Sequence, residues 1–177
     1  MDFFYPNFNN DFWRVMGLVH FDNAQHFVVP GGKRFNSEAV VEFCRQAGLA
    51  FFDTASKVRR LKDNASDAFL EILQPTDIGA LLARLPHCHA IGTTGGKASG
   101  QFAALLNGTA ADTAPLRGTS PLQPSPLPTT VSVPAPGGYL DVTAWGRALR
   151  WWRMPSTSRA YPLALSAKAA AYARLWP

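Results

Sequence analysis

Large apolar side chains recur at helical spacing in two stretches near the start of the chain. Between residues 10 and 20 they are Phe12, Trp13, Met16 and Val19. Ser37 is a favoured N-cap, and the residues after it predict a second helix that continues to Gln46 and ends at Gly48. The apolar face of that helix comprises Val40, Val41, Phe43 and Cys44. Two amphipathic helices are therefore predicted before Leu49.

Short apolar runs between turn residues predict strands. Leu49–Phe52 follows a helix end and predicts a buried strand that stops at Asp53 and Thr54. His89–Thr94 predicts a second buried strand, and Gly95-Gly96 turns it into a helix of about ten residues. Further predicted elements are strands at 139–142 and 148–154 and helices at 66–73, 76–84 and 163–175. Strands that alternate with helices favour a parallel α/β sheet covered on both faces, with ligands at the carboxyl ends of the strands.

Residues 109–138 differ in composition from the rest of the chain. Prolines recur there among scattered serines and threonines, and such a stretch contributes no packed core. We interpret it as a linker or surface insert within a single domain that spans residues 1–177. A chain of this length can bury a substantial core.

The chain is basic, with 17 Lys and Arg against 12 Asp and Glu, a formal charge of +5 and a pI near 9.6. A positive balance of this size favours an anionic partner, nucleic acid first. The alternative is a mildly basic protein with no such partner. Lys57 and Arg59 belong to a basic run that is either a solvated loop or a clamp for phosphates.

The cysteines and histidines indicate which cellular compartment and which cofactors to expect. Cys44 and Cys88 are the only cysteines, so there is no disulfide framework and a reducing cytoplasm is the simplest compartment. His87 and His89 would share one face of a strand while Cys88 opposes them, and no second cluster completes a four-ligand set. We therefore expect no metal. No stretch approaches the about 18 consecutive apolar residues of a membrane span, so no membrane partner is expected.

The turn at Gly95-Gly96-Lys97 resembles a phosphate-binding P-loop only in part. A P-loop would need glycine at residue 91, which is Ile91, and a hydroxyl after the lysine, where Ala98 stands. A tight turn that needs small residues is the favoured interpretation. A helix N-terminus that receives a nucleotide phosphate stays open as an alternative.

Three segments occur in a fixed order along the chain. The first is Phe3-Phe4-Tyr5-Pro6 with Asn10-Asp11-Phe12-Trp13-Arg14, the second is Phe51-Phe52-Asp53-Thr54 with Val58-Arg59, and the third is Met154-Pro155-Ser156-Thr157-Ser158-Arg159-Ala160. Together they resemble the uracil-DNA glycosylase superfamily, most closely its mismatch-specific and hypoxanthine-type branches. Each motif alone is weak, and the signal lies in their order and in their positions after predicted strands. The resemblance covers most of the chain outside the Pro-rich stretch.

The resemblance implies a three-layer α/β/α sandwich around a mostly parallel four-stranded sheet. It implies a monofunctional DNA N-glycosylase, a hydrolase without metal or cofactor. Such an enzyme acts as a monomer on DNA whose damaged or mismatched base is flipped out of the duplex. The family's first motif, a Gly-rich strand-to-loop turn, normally precedes the stacking aromatic and has no counterpart ahead of Phe3. We therefore expect the sheet to lack its first strand.

The resemblance also implies roles for individual residues, although it assigns no catalytic residue. Phe3 matches the aromatic that stacks on the flipped base, and Tyr5 and Asn10 match the segment that shapes the pocket. Asp53, followed by Thr54, stands where uracil enzymes present an asparagine amide to the base edge. A carboxylate only accepts hydrogen bonds, so uracil specificity does not carry over, and a capping or salt-bridged Asp53 is the alternative. The expected DNA-binding residues are Pro155, Ser156, Thr157, Ser158, Arg159, Lys57 and Arg59.

Three functional hypotheses follow from the sequence. The first is a base-excision glycosylase that acts on a uracil-like or hypoxanthine-like base. The second is a non-catalytic nucleic-acid-binding remnant of the same fold. The third is a nucleotide-phosphate binder built on the turn at Gly95.

Overall fold

The computed structural model describes residues 3–60, 70–112 and 130–176. These residues form helices and strands of the mixed α/β class, as predicted. In chain order the elements are α1 (Phe12–Phe21), α2 (Ser37–Gln46), β1 (Ala55–Arg60), β2 (Leu70–Pro75), α3 (Ile78–Arg84), β3 (Ala90–Thr94), α4 (Gly95–Asp112), β4 (Tyr139–Ala144), β5 (Arg147–Met154) and α5 (Leu165–Ala173). None of the helices in the described part of the chain has the length and hydropathy needed to cross a membrane.

The chain divides into two compact units. One contains the residues up to Asp53 and from Met154 onward, and we call it the helical unit because it holds α1, α2 and α5. The other is Thr54–Arg153, which we call the sheet unit because it holds almost all of the strand residues. The single glycosylase-like domain expected from the sequence stays a prediction.

The helical unit is held together by aromatic side chains. α1 packs against α5, and the Phe12 ring meets the Tyr172 ring edge to face at 5.9 Å. Trp13, which is fully buried, contacts Phe27 in the same way at 5.6 Å. Such pairs add to the stabilisation from burial of apolar area. Both predicted helices are confirmed, with one correction: Asn36 caps α2, because its Oδ1 accepts from the N–H groups of Glu38 and Ala39, and Ser37 is the first helical residue.

The prediction of a strand at Leu49–Phe52 is wrong. The Phe51 ring lies 5.6 Å from Phe4, 5.4 Å from Phe12 and 5.9 Å from Trp13, so it completes the aromatic cluster of the helical unit. Phe52 is 50% exposed, and this segment has no strand structure. A run of four apolar residues is compatible with a strand or with an irregular segment. Here the contacts of Phe51 with the aromatic cluster favour the irregular segment.

The sheet unit contains a three-stranded sheet with the order β3-β5-β4. β4 and β5 are antiparallel, from Tyr139 opposite Trp152 to Ala144 opposite Arg147. Trp145 and Gly146 make the turn between them with φ values of 50° and 69°, the left-handed pair that a two-residue hairpin requires. β3 runs parallel to β5, so the sheet is mixed.

This arrangement corrects the expected sheet, which was a mostly parallel four-stranded sheet without its first strand. The strands at 90–94, 139–144 and 147–154 were anticipated, but a two-residue connection allows only an antiparallel pair. α4 packs on this sheet, and the buried core comprises Phe102, Ala103, Leu106, Ala144 and Trp151. α4 extends to Asp112, so it is 18 residues long rather than about ten, and it enters the stretch that was predicted to be an insert.

A second, two-stranded sheet corrects the predictions around residue 60. Lys57 and Arg59 lie on β1 rather than in a loop, and β1 pairs antiparallel with β2. The helix predicted at 66–73 is wrong from Leu70 onward, where β2 begins, and its earlier part lies outside the described residues. The helix predicted at 76–84 begins at Ile78, because the Asp77 carboxylate caps it by accepting from Ala80 N at 2.9 Å.

Candidate functional site

A cleft of about 330 Å³ lies in the helical unit. One wall is the segment before α1 and the other is the loop after β5; the lining residues are Tyr5, Asn7, Asn9, Asn10, Ser158, Arg159 and Ala160. An isolated antiparallel bridge joins Asn10 to Ser158, and Asp11 N donates to Thr157 O at 2.8 Å. Backbone pairing therefore brings together two segments from opposite ends of the chain.

The asparagine wall of the cleft carries side-chain amides. Asn7 Oδ1 accepts from Asn9 N, and Asn10 Oδ1 accepts from Phe12 N, both at 2.9 Å. Because a backbone N–H must meet an oxygen, these bonds fix which way each amide points. Each of these amides can then offer its Nδ2 as a donor and a second lone pair of Oδ1 as an acceptor to a ligand.

A buried carboxylate lies beside the cleft and binds several cations. Asp11 is 8% exposed, and its Oδ1 accepts from Arg159 Nε at 3.0 Å while its Oδ2 accepts from Lys168 Nζ at 3.2 Å. Arg14 Nη1 is 3.7 Å from the same Oδ1. Asp11 occupies the N-cap position of α1 but makes no side-chain cap bond. Its carboxylate is therefore committed to the cations.

The cluster of Asp11, Arg14, Arg159 and Lys168 carries an excess of two positive charges, since three cations share one carboxylate. Burial and the nearby charge of Arg159 lower the pKa of Arg14. Carbonyl oxygens of Phe8 and Asn10 and the face of the Phe8 ring, 4.2 Å from the guanidinium carbon, offset part of this cost. A positive excess beside an open, donor-lined cleft suits an anionic ligand.

The loop from Pro155 to Ala160 is anchored through its carbonyl groups. Pro155 O accepts from Tyr172 Oη, Thr157 O from Asp11 N, and Ser158 O from Lys168 Nζ, at 2.8–2.9 Å. Burial raises the pKa of Tyr172 well above its ordinary value, so this phenol keeps the proton that it donates. The loop is thus held rigidly from the protein side.

The structure sorts the residues that were predicted in this loop. Ser158 and Arg159 line the cleft, and the Arg159 side chain is 48% exposed. Pro155 and Thr157 are buried, so their side chains support the loop instead of facing the cleft. Ser156 Oγ accepts from Ser158 N at 3.2 Å, which closes a local turn.

Of the predicted base-pocket residues, Tyr5 and Asn10 line the cleft and Phe3 does not. Tyr5 has a left-handed backbone (φ 57°), a conformation that costs about 1–3 kcal/mol for a residue with a side chain. Its ring stacks on Phe12 at 4.5 Å. Phe3 instead contacts Trp13 edge to face at 6.2 Å and lines a separate aromatic hollow of about 220 Å³.

The remaining predicted residues are Asp53, Thr54, Lys57 and Arg59. Asp53 is exposed at the end of the first segment of the helical unit. Thr54, Lys57 and Arg59 belong to the sheet unit, where Arg59 pairs with Glu71 across β1 and β2 at 3.4 Å. None of these four residues is among those that line the cleft.

The turn at Gly95 has an internal structural role. Gly95 has φ 80°, which favours glycine, and its carbonyl accepts from Ser99 Oγ at 2.7 Å. Ser99 and Trp151 both hydrogen-bond Thr93 Oγ1 at 2.9 Å. Within the described ranges, no three His, Cys, Asp or Glu side chains are grouped as a metal site would require.

The sequence analysis missed the residues beneath the cleft. Asp11 and Arg14 were seen only as parts of a motif, and Lys168 was not singled out at all. Lys168 and Tyr172 are four residues apart on an Ala-rich helix, so they lie on one face, and both are buried. The signal in the sequence was a single lysine on the same helix face as the aromatic residue of α5.

The comparisons with known proteins add no relative. Neither a protein-family model, nor a curated protein sequence, nor a solved structure gives a significant match to this chain.

Proposed function

We propose that the helical unit binds DNA through the cleft, and that the chain is a monofunctional glycosylase that hydrolyses the N-glycosidic bond of a flipped damaged or mismatched base. One observation carries this proposal. Tyr5 and Asn10, which the resemblance assigns to the base pocket, share the cleft with Ser158 and Arg159, which it assigns to the DNA backbone. These two pairs lie far apart in the sequence, and the motifs alone do not require that they line the same cleft.

The charges of the cleft suit the DNA backbone. The Arg159 guanidinium uses Nε to bind Asp11, so its two terminal nitrogens are the groups that a phosphate would meet. The excess of positive charge around Asp11 favours the same ligand. Ser158, held from behind by Lys168, adds a small residue that a phosphate can approach closely.

The asparagine donors suit the departing base. When the N-glycosidic bond breaks, its electron pair remains on the base; water then adds to the sugar carbon, and the proton that it releases goes to the departed base. Amide N–H groups such as Nδ2 of Asn7 and Asn10 stabilise negative charge that develops on a base carbonyl. Asp11 is engaged with cations on both of its oxygens, so we assign it an electrostatic role and no role as a general base.

The test combines DNA binding with base release. Labelled duplexes carrying uracil, hypoxanthine, xanthine or a thymine mismatch are incubated with the protein, and released bases are detected by alkaline strand cleavage. We expect release from at least one duplex. Arg159→Gln should weaken duplex binding about tenfold and reduce the salt slope by about one phosphate contact.

Arg34→Gln is the matched control, because Arg34 is an exposed arginine of the same unit outside the cleft. It should leave duplex affinity and base release unchanged. Salt-dependent binding without release of any base would favour the non-catalytic remnant. If Arg159→Gln and Arg34→Gln bind DNA equally well, the cleft is not the DNA site. Nucleotide binding that survives Arg159→Gln would instead support the turn at Gly95.

A further inference from the structure

Lys168 connects both walls of the cleft although it does not line it. It lies on α5 and is 1% exposed. Its ammonium group donates to Asp11 Oδ2 at 3.2 Å and to Ser158 O at 2.9 Å. One side chain thus holds the residue before α1 and the loop after β5.

The contacts of Lys168 lead directly to Arg159. Lys168 restrains the Asp11 carboxylate at Oδ2, and the other oxygen of that carboxylate, Oδ1, accepts from Arg159 Nε. The bond from Lys168 to Ser158 O also fixes the peptide that joins Ser158 to Arg159. Backbone and side chain of Arg159 are therefore both restrained through one buried ammonium group.

The same contacts argue against a chemical role for the amine of Lys168. Two of the three N–H groups of Lys168 Nζ are engaged inside the protein, by a carboxylate and by a carbonyl oxygen. Lys168 is also absent from the lining of the cleft. Its influence on a ligand must therefore pass through Asp11, Ser158 and Arg159.

We propose that Lys168 is the positioning residue of the cleft, which holds Arg159 in the orientation that binds a DNA phosphate. The ligand class rests on the function proposed above. The positioning itself does not, because it concerns the geometry of Arg159 before any ligand binds. Preorganised donors lose less freedom on binding than mobile ones, so the effect should appear as affinity.

The first measurement follows Arg159 without a ligand. In ¹⁵N spectra the Arg159 Nε–H should give a signal protected from exchange with water, since it donates to the buried Asp11. Lys168→Met should abolish this protection, and Lys33→Met, which removes an exposed lysine of the same unit, should preserve it. Protection that survives Lys168→Met in the folded protein would overturn the proposal.

The second measurement separates positioning from folding. Ser99→Ala is the control for lost stability, because it removes buried hydrogen bonds of the sheet unit and changes no residue of the cleft. Where both variants are folded, Lys168→Met should bind the lesion duplex roughly tenfold more weakly than the unmodified protein, whereas Ser99→Ala should keep its affinity. Equal affinity of the two variants would mean that Lys168 is only structural.

Failure of the proposed function gives a different pattern. If the unmodified protein binds no DNA, the proposed function is wrong. The Arg159 Nε–H signal still decides whether Lys168 positions Arg159. If Lys168→Met does not fold in buffer alone, its spectrum is taken in an osmolyte that favours the folded state, and protection retained there would count against the proposal.

Discussion

Two carboxylate–arginine pairs in this protein differ in depth and in the route by which their partners meet. Asp11 binds Arg159 and Lys168 from 148 and 157 residues away along the chain, and Asp11 and Lys168 are buried. Asp141 binds Arg150 across the β4–β5 hairpin, nine residues away, with side chains 64% and 47% exposed. The first set depends on the fold of the helical unit, whereas the second needs only the register of one hairpin.

The comparison indicates which ion pairs contribute most to stability and function. An exposed pair gains little, because water and salt screen it and two mobile side chains must be ordered. A buried charge cannot be left alone without a large desolvation penalty, so its partners become indispensable once it is there. The geometry of the Asp141 pair is the better of the two, with two hydrogen bonds at 2.8 and 3.2 Å, yet we expect its removal to matter less.

The largest effect is expected from Asp11→Asn. This change leaves Arg14, Arg159 and Lys168 without their shared carboxylate, and the loss should be about 3–5 kcal/mol of unfolding free energy. Loss of a helix cap contributes nothing, because the Asp11 side chain makes no cap bond. Urea unfolding measures the change. A loss no greater than that of Asp141→Asn would remove the contrast between the two sites.

A smaller effect is expected from Arg147→Met, which sharpens the comparison because carbonyl groups are the partners of this cation among the described residues. Its Nη1 donates to Leu82 O and Leu85 O, and its Nη2 to Pro86 O and Cys88 O, at 2.6–3.0 Å. These are carbonyls at and beyond the end of α3. We expect a loss of about 1.5–3 kcal/mol, the range for hydrogen bonds to a charged group.

Arg147→Lys is the control for charge at this position. An ammonium group keeps the charge but does not reproduce the planar fork that serves four carbonyls, so most of the stability should still be lost. If Arg147→Lys unfolds at the same urea concentration as the unmodified protein, charge alone suffices and the fork is irrelevant.

Local patterns predicted elements better than they predicted contacts. α1 and α2 were found because their apolar residues recur at helical spacing over a full ten residues each. The segment Leu49–Phe52 was too short for that test, and its fate depended on rings of Phe4, Phe12 and Trp13 elsewhere in the chain. A strand pattern also carries no direction, so the antiparallel pairing of β4 and β5 was set by the turn at Trp145 and Gly146.

The candidate site was likewise predicted only in part from the sequence. Motif order pointed to Tyr5, Asn10, Ser158 and Arg159, and these residues do share a cleft. The local pattern places Lys168 on the face of α5 that carries Tyr172, but it does not identify the two acceptors, which are Asp11, 157 residues away, and Ser158, ten residues away. Thr157 was expected on the same grounds as Ser158, but its side chain is buried and its carbonyl accepts from Asp11 N.

The smallest effect is expected at the exposed pair, and acid titration is the measurement that detects it. The hydrogen bond from Arg150 lowers the pKa of Asp141 below its ordinary value of 3.8. A carboxyl group with a lowered folded pKa stabilises the protein above the unfolded value and loses that contribution as the pH falls through the folded one. Arg150→Gln should therefore return the Asp141 pKa toward 3.8 in a ¹³C carboxyl titration, while the urea midpoint at neutral pH stays within error. Arg150 also lies over the Tyr139 ring at 4.5 Å, so Asp141→Asn, which preserves that contact, is the matched control. A substantial fall in the urea midpoint for Asp141→Asn would show that the hairpin depends on its ion pair, and depth would then no longer separate the two sites.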